Sequence, residues 1–289
     1  MTYPSAPAVL ELFKPITWFA PMWAFLCGVV SVGGDNGASW PVVAAGVLLA
    51  GPLVCATSQA VNDWFDRHVD GINEPHRPIP SGRIPGRWGF YIAVIWSGVS
   101  LAVAWALGSW VLAATMIGLI LAWAYSAPPL RLKQNGWFGN AAVAFCYEGL
   151  PWFTGAAIMA TVLPDWRILL IAGLYSIGAH GIMTLNDFKA IEGDTRMGIR
   201  SLPVQLGADA AARLACVMMA VPQIAVIGLL TLFGQPWHAL AVTALLAVQV
   251  VLMGKLVADP RGQAARYNAT GTTLYVLGML VAAFALRSS

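Results

Sequence analysis

Charge is what this chain most lacks. Only 10% of its 289 residues are Asp, Glu, Lys or Arg, against 58% hydrophobic, and the mean hydropathy is +0.71. A water-soluble domain carries about 25% charged residues. Depletion this deep over a whole chain excludes a soluble globular fold and makes lipid the solvent. Cysteine is scarce too. Cys27, Cys55, Cys146 and Cys216 share no zinc-ligand spacing and all fall inside apolar runs, so they read as small packing residues. The start of the chain lacks both the basic region and the small-residue cleavage site of a secretory leader, and it is no transit peptide.

What is present instead is a series of long apolar runs. A membrane span needs about 20 such residues. Nine candidates lie near 16–34, 41–61, 89–107, 110–127, 138–160, 168–187, 212–233, 237–258 and 268–286. They are too long for barrel strands, which need about 10 alternating residues. In hydrocarbon every backbone N–H and C=O must be paired within its own segment, which predicts nearly continuous helix. The expectation is an all-α polytopic membrane protein built as one domain over residues 1–289. Only Gly108-Ser109 separates the third and fourth runs, so that hairpin is tight.

With nine spans, the N-terminus and every second loop share one side. That side holds fourteen of the 16 Lys and Arg, from Lys14 to Arg266, and only Arg167 and Arg287 lie opposite. Positive charge marks the cytoplasmic side. The N-terminus is therefore expected in the cytoplasm and the C-terminus in the periplasm of a bacterial inner (intracytoplasmic) membrane. The net charge of +3 conceals this asymmetry. Most carboxylates share the basic face, which argues against nucleic acid or another simple polyanion and favours a metal together with an anion.

Two segments on that face repeat one pattern. The first runs Asn62-Asp63-Trp64-Phe65-Asp66, reaches Asp70, and ends Arg77-Pro78-Ile79-Pro80. The second runs Asn186-Asp187, passes Glu192 to Asp194, and ends Arg200-Ser201-Leu202-Pro203. Asp63, Asp66 and Asp70 are spaced i, i+3, i+7, which places them on one face if the second helix continues past the membrane surface. Three such carboxylates without a cation would repel. In the second segment Ala190 stands where a middle carboxylate would align, Glu192 is the candidate substitute, and Gly193 suggests a break before Asp194. Hard oxygen donors select Mg²⁺, which is usually held through one or two carboxylates plus substrate phosphates. The candidate metal ligands are Asp63, Asp66, Asp70, Asp187, Glu192 and Asp194. Arg77, Arg131, Lys133, Lys189 and Arg200 are the candidate anion-binding cations, with Arg77 and Arg200 in matching places. Asn62 and Asn186 add amides beside the carboxylates.

Inside the spans, Glu148 is costly for its surroundings and reads as functional or as a buried hydrogen-bonded acid. It is a candidate for orienting an acceptor. His180 reads as a hydrogen-bonded core residue. Tyr125 lies on the active face, just before the Arg131–Lys133 loop.

These motifs resemble the UbiA superfamily of intramembrane prenyltransferases over essentially the whole chain. The segments Ile72–Gly82, Asn186–Asp194 and Arg200–Val204 resemble its chlorophyll/bacteriochlorophyll synthase branch, and Lys14–Phe19 and Gly181–Leu185 its purple-bacterial members. The resemblance implies a UbiA-type fold with nine transmembrane helices around a central cavity. It also implies Mg²⁺-dependent esterification of the 17-propionate of bacteriochlorophyllide a with geranylgeranyl or phytyl diphosphate. On that basis Asp63, Asp66, Asp187 and Arg77 are catalytic, and Asn62, Tyr125, Arg131, Lys133, Glu148, Asn186, Lys189 and Arg200 contact substrate. The lipid bilayer and pigment-biosynthesis or photosystem-assembly proteins are the further expected partners. Another superfamily branch, acting on haem or quinone precursors, is the first alternative. A cation-coupled transporter is the second, disfavoured because transport sites sit near the bilayer midplane.

Overall fold

The computed structural model describes residues 3–33 and 39–287. The expected end of the first span, at residue 34, lies outside the described residues. Fourteen α-helices follow in order among them: α1 (Ala6–Leu12), α2 (Phe19–Val32), α3 (Trp40–Leu48), α4 (Ala56–Asn73), α5 (Trp88–Leu107), α6 (Ser109–Ser126), α7 (Gly136–Ala144), α8 (Leu150–Ala160), α9 (Trp166–Asn186), α10 (Ile191–Met197), α11 (Leu202–Leu206), α12 (Ala208–Leu232), α13 (Pro236–Ala258) and α14 (Pro260–Arg287).

Helix is continuous from Trp40 to Asn73, because α3 and α4 are joined by a π-helical stretch, Leu49–Cys55. Its cause is Pro52, which lacks an N–H and crowds the preceding turn. Widening the helix accommodates the ring, and Trp96 Nε1 bonds the Pro52 carbonyl at 3.0 Å. A second π stretch, Phe145–Gly149, joins α7 to α8 just before Pro151. Seven continuous helices are long and apolar enough to cross a membrane, and the pair 6–17 and 19–32, bent by 57°, makes an eighth. Residues 136–160, helical throughout but carrying Asn140 and Glu148, stand where the remaining expected span lies. Gly108, at φ 125°, forms the tight α5–α6 hairpin.

The largest core joins α2, α8, α9, α12, α13 and α14. Close approach of α2 and α8 depends on Gly28 and Gly155. A Cβ on Gly28 would strike the Trp152 carbonyl, and one on Gly155 the Phe25 carbonyl. In lipid, small residues of this kind let helices pack backbone to backbone.

Candidate functional site

The first acidic motif rides on the last turns of α4, which extends beyond its apolar part as the carboxylate spacing required. The three Asp do not form one bare stripe. Asp63, only 2% exposed, meets Lys14 Nζ at 2.7 Å and Arg77 Nη1 at 3.5 Å. The same Arg77 nitrogen reaches Asp70 Oδ2 at 3.0 Å, while its Nε pairs with Glu74. Asp66 turns elsewhere. It accepts from Asn62 Nδ2 at 3.1 Å, bonds Lys133 Nζ, and lies 3.8 Å from Arg131. Each carboxylate thus has a cation, which removes the repulsion their spacing would otherwise impose.

Backbone geometry delivers these cations. Lys14 (φ 46°) and Arg131 (φ 39°) both adopt the left-handed region that non-glycine residues rarely enter. Such outliers concentrate at functional sites. The segment carrying Lys14 is anchored by Glu11, which takes two bonds from Arg83 at 2.5 and 2.8 Å. Lys133 sits in a 3₁₀ turn, Leu132–Gln134, where burial pulls its ammonium below its ordinary pKa against the attraction of Asp66. Two backbone bonds tie this turn to the second motif: Arg200 N donates to Gln134 O at 3.0 Å, and Gly136 N to Arg200 O at 2.8 Å.

The second motif is built differently. After Asn186 the helix tightens into a 3₁₀ turn, Asp187–Ala190, and then resumes as α10. The expected break at Gly193 is corrected by this: Gly193 is helical, and the irregularity lies upstream at Asp187–Ala190. Asp187 Oδ2 accepts from Asn140 Nδ2 at 3.0 Å, and Asn186 Oδ1 from Asn268 Nδ2 at 2.6 Å. Asp194 is buried, whereas Lys189, Glu192 and Arg200 are exposed. The expected equivalence of Arg77 and Arg200 is also corrected. Arg77 bridges three carboxylates, and Arg200 has no ion pair among the described residues. Their local turns differ: Arg77 folds back over α4, while the Arg200 backbone is committed to the bridge with Gln134 and Gly136.

A cavity of about 260 Å³ lies between α2, the 49–55 stretch, α4, α6 and residues 142–154. Both π stretches contribute to its wall, including Cys55 and Tyr147, and most of the lining is apolar. Asn62 and Tyr125 line it as well. Asn62 joins the cavity to Asp66, and the Leu132–Gln134 turn that carries Lys133 to Asp66 is bonded to Arg200, so the two motifs are linked at this end of the cavity. Glu148 is not on that wall. It is 4% exposed, and its Oε2 has no partner among the described residues. Residues 146 and 147 face the cavity, and the next position of the turn faces the core. His180 Nε2 lies 3.3 Å from the Trp137 carbonyl, which fits the core role read from the sequence.

Among the described residues no three His, Cys, Asp or Glu converge on one point. The first motif's carboxylates face cations, and in the second motif Asp187 faces an amide. Sequence reasoning missed Lys14, Asn140 and Asn268 as members of the site. Lys14 was visible only as one more cation on the acidic face. A lone Asn in an apolar span, costly unless bonded, was the signal for Asn140.

Comparison with known proteins places this geometry. The model of the UbiA prenyltransferase family matches residues 21–273. The chain is 60% identical to the bacteriochlorophyll synthase 33 kDa chain of Cereibacter sphaeroides, covering 98% of this chain and 94% of that one. It is 38% identical to the chloroplastic chlorophyll synthase of Arabidopsis thaliana, covering 96% and 73%. Its fold matches a UbiA homologue from Archaeoglobus fulgidus, bound to DMAPP and Mg²⁺ in that structure, with TM-score 0.77 at 20% identity, covering 97% and 99%. The chain is an integral membrane protein and belongs to the UbiA prenyltransferase family.

Proposed function

We propose that this protein is a bacteriochlorophyll synthase. It esterifies the 17-propionate of bacteriochlorophyllide a with geranylgeranyl or phytyl diphosphate. The observation carrying this reading is near-full-length similarity, at 60% identity, to a bacteriochlorophyll synthase chain. The meeting of both acidic motifs with one apolar cavity supports it.

In the reaction a propionate oxygen bonds the allylic carbon, the bond from that carbon to the diphosphate oxygen breaks, and pyrophosphate leaves with its electron pair. The propionate is ionised at neutral pH, so no general base is needed. The protein's work is to bring two greasy substrates together and to stabilise the leaving group. Lys133 and Arg131 lie beside Asp66 and would bind diphosphate oxygens. Lys14 and Arg77 hold Asp63 and Asp70. The mostly apolar cavity would house the prenyl chain, and the Tyr125 ring on its wall would offer a π-face to positive charge developing at the allylic carbon.

The donor set suits Mg²⁺ in its chemistry, hard carboxylate oxygens with amides beside Asp66 and Asp187. Asp63, Asp66, Asp70, Asp187, Glu192 and Asp194 are the residues that would hold it. When bound it supplies neutralisation of diphosphate charge. Residues 1–289 act as one domain on this reading, in a bacterial inner membrane with both motifs cytoplasmic, as the Lys/Arg asymmetry supports.

The test is reconstitution in nanodiscs with bacteriochlorophyllide a, geranylgeranyl diphosphate and Mg²⁺, with chromatography of the ester. Ester formation that stops on chelation is expected. Prenylation of an aromatic-ring acceptor, with none of bacteriochlorophyllide, would overturn the assignment.

A further inference from the structure

We propose that Asn140 and Asn268 are positioning residues for the second acidic motif, holding Asp187 and Asn186 in orientation through neutral amide bonds; the assignment rests on the reading of that motif as a metal–diphosphate site. The two asparagines come from different spans, α7 and α14, yet converge on consecutive residues at the end of α9. Asn140 Nδ2 donates to Asp187 Oδ2 at 3.0 Å, and Asn268 Nδ2 to Asn186 Oδ1 at 2.6 Å.

Each asparagine is itself held. Asn140 Nδ2 also lies 3.5 Å from Thr184 Oγ1. That hydroxyl gives its own hydrogen to the His180 carbonyl at 2.9 Å, so toward Asn140 it can only accept. Both neighbours therefore demand a donor from Asn140, which fixes its amide. On the other side Thr272 Oγ1 donates to Asn268 Oδ1 at 3.1 Å, which leaves the Asn268 nitrogen to face Asn186. Asn140 is only 6% exposed in a membrane helix, where an amide without partners is costly. The position is occupied at that cost because the bonds are made.

The contrast with the first motif gives these bonds their meaning. Asp63, Asp66 and Asp70 are neutralised by Lys14, Lys133, Arg131 and Arg77. An incoming cation must compete with those partners. Asp187 is oriented by a neutral group that leaves its charge uncancelled, and its Oδ1 accepts no hydrogen bond among the described residues. A carboxylate so held is ready for a cation without rearrangement. This offsets the missing middle carboxylate at Ala190: the second motif has fewer acids, but its Asp187 is pre-oriented.

The test uses purified full-length Asn140→Leu and Asn268→Leu, close in size but without donors. Thermal unfolding checks that each is folded, and Asn140→Ala carries the same expectation where the leucine is not tolerated. Mn²⁺ binding is read by electron paramagnetic resonance in the presence of inorganic pyrophosphate. Partners behind metal ligands are worth about 10–100-fold in affinity. The expected result is Mn²⁺ affinity at least about tenfold weaker in each variant. The Mg²⁺ needed for half-maximal turnover should rise in the same proportion, with an unchanged KM for bacteriochlorophyllide. Wild-type Mn²⁺ affinity in the folded variants overturns the positioning role alone. No Mn²⁺ binding by the wild-type protein removes the metal reading, and the assignment with it.

Discussion

At the scale of single residues, Asp63 and Asp66 are three positions apart and yet do different work. Asp66 bonds Lys133 and Asn62, a residue of the cavity wall, whereas Asp63 is buried between Lys14 and Arg77. Substituting Asp66→Asn removes charge aimed at the reacting diphosphate and the partner that holds the Lys133 proton. Turnover should fall about 10²–10³-fold, as when one preorganised electrostatic group is lost. Because Asn keeps an oxygen acceptor for Lys133, the thermal midpoint should fall less than in Asp63→Ala; an equal or larger drop would make Asp66 structural. Asp63→Ala should also abolish turnover but with a folding cost, since two cations lose their partner. Breaking a buried pair costs about 3–5 kcal/mol. Lys14 and Arg77 keep about a quarter of their surface in solvent, which reduces this to about 1–2 kcal/mol. Denaturation of the purified variant measures it. Glu148→Gln tests the opposite expectation. Because Glu148 faces the core rather than the cavity, turnover and the acceptor KM should stay within about twofold, given that substitutions away from chemistry rarely cost more than ~0.5 kcal/mol. A large rise in acceptor KM would return it to the substrate site. The acidic residues of the site were legible in the sequence because carboxylates are rare in an apolar chain. Their partners were not, because Asn140, Asn268 and Lys14 become neighbours of the motifs only through helix packing.

Elements carry the site through their irregularities. A regular helix from Trp40 to Asn73 would meet the ring of Pro52; the π stretch absorbs it and turns Leu49, Ala50 and Cys55 to the cavity. The second π stretch does the same for Cys146 and Tyr147. Periodicity in the sequence could reveal the spans but not these widened turns, because a π stretch changes the register without interrupting the apolar run. The same limit applies at Gly193, read as a breaker and found helical, with the tightened turn at Asp187–Ala190 instead. Regular elements matter where they touch most closely. Gly28 and Gly155 face backbone carbonyls across the α2–α8 contact. Gly155→Val should destabilise by about 3 kcal/mol, the upper end for overpacking, because backbone rather than a flexible side chain must yield. Since α2 and α8 both border the cavity, activity should fall together with the thermal midpoint. A Gly155→Val protein of wild-type stability would show that the helices are not in this contact.

The whole molecule is organised by one asymmetry, and it is open to direct measurement. Lys and Arg crowd one end of the helices, the two acidic motifs lie there, and the cavity reaches toward them at Asn62 and Tyr125. On the proposed function, a diphosphate would meet the charged end while its prenyl chain stays in the apolar part. Both motifs share a face only if an even number of crossings separates the end of α4 from the end of α9, and α5, α6, residues 136–160 and α9 make four. The less apolar stretch 136–160 decides the matter: if it did not cross, the second motif would lie opposite the first. Single-cysteine labelling settles it. Glu192 and Asp165 are exposed residues flanking α9 at opposite ends, and of the native cysteines Cys27 and Cys55 are buried while Cys146 and Cys216 are half-buried. In a background lacking those four, Glu192→Cys should react with a membrane-impermeant maleimide only in inside-out vesicles, and Asp165→Cys only in right-side-out ones. A third site, His68→Cys on the first motif, should behave as Glu192→Cys does. Labelling of the His68 and Glu192 sites from opposite sides would separate the two motifs and leave no common site for one diphosphate.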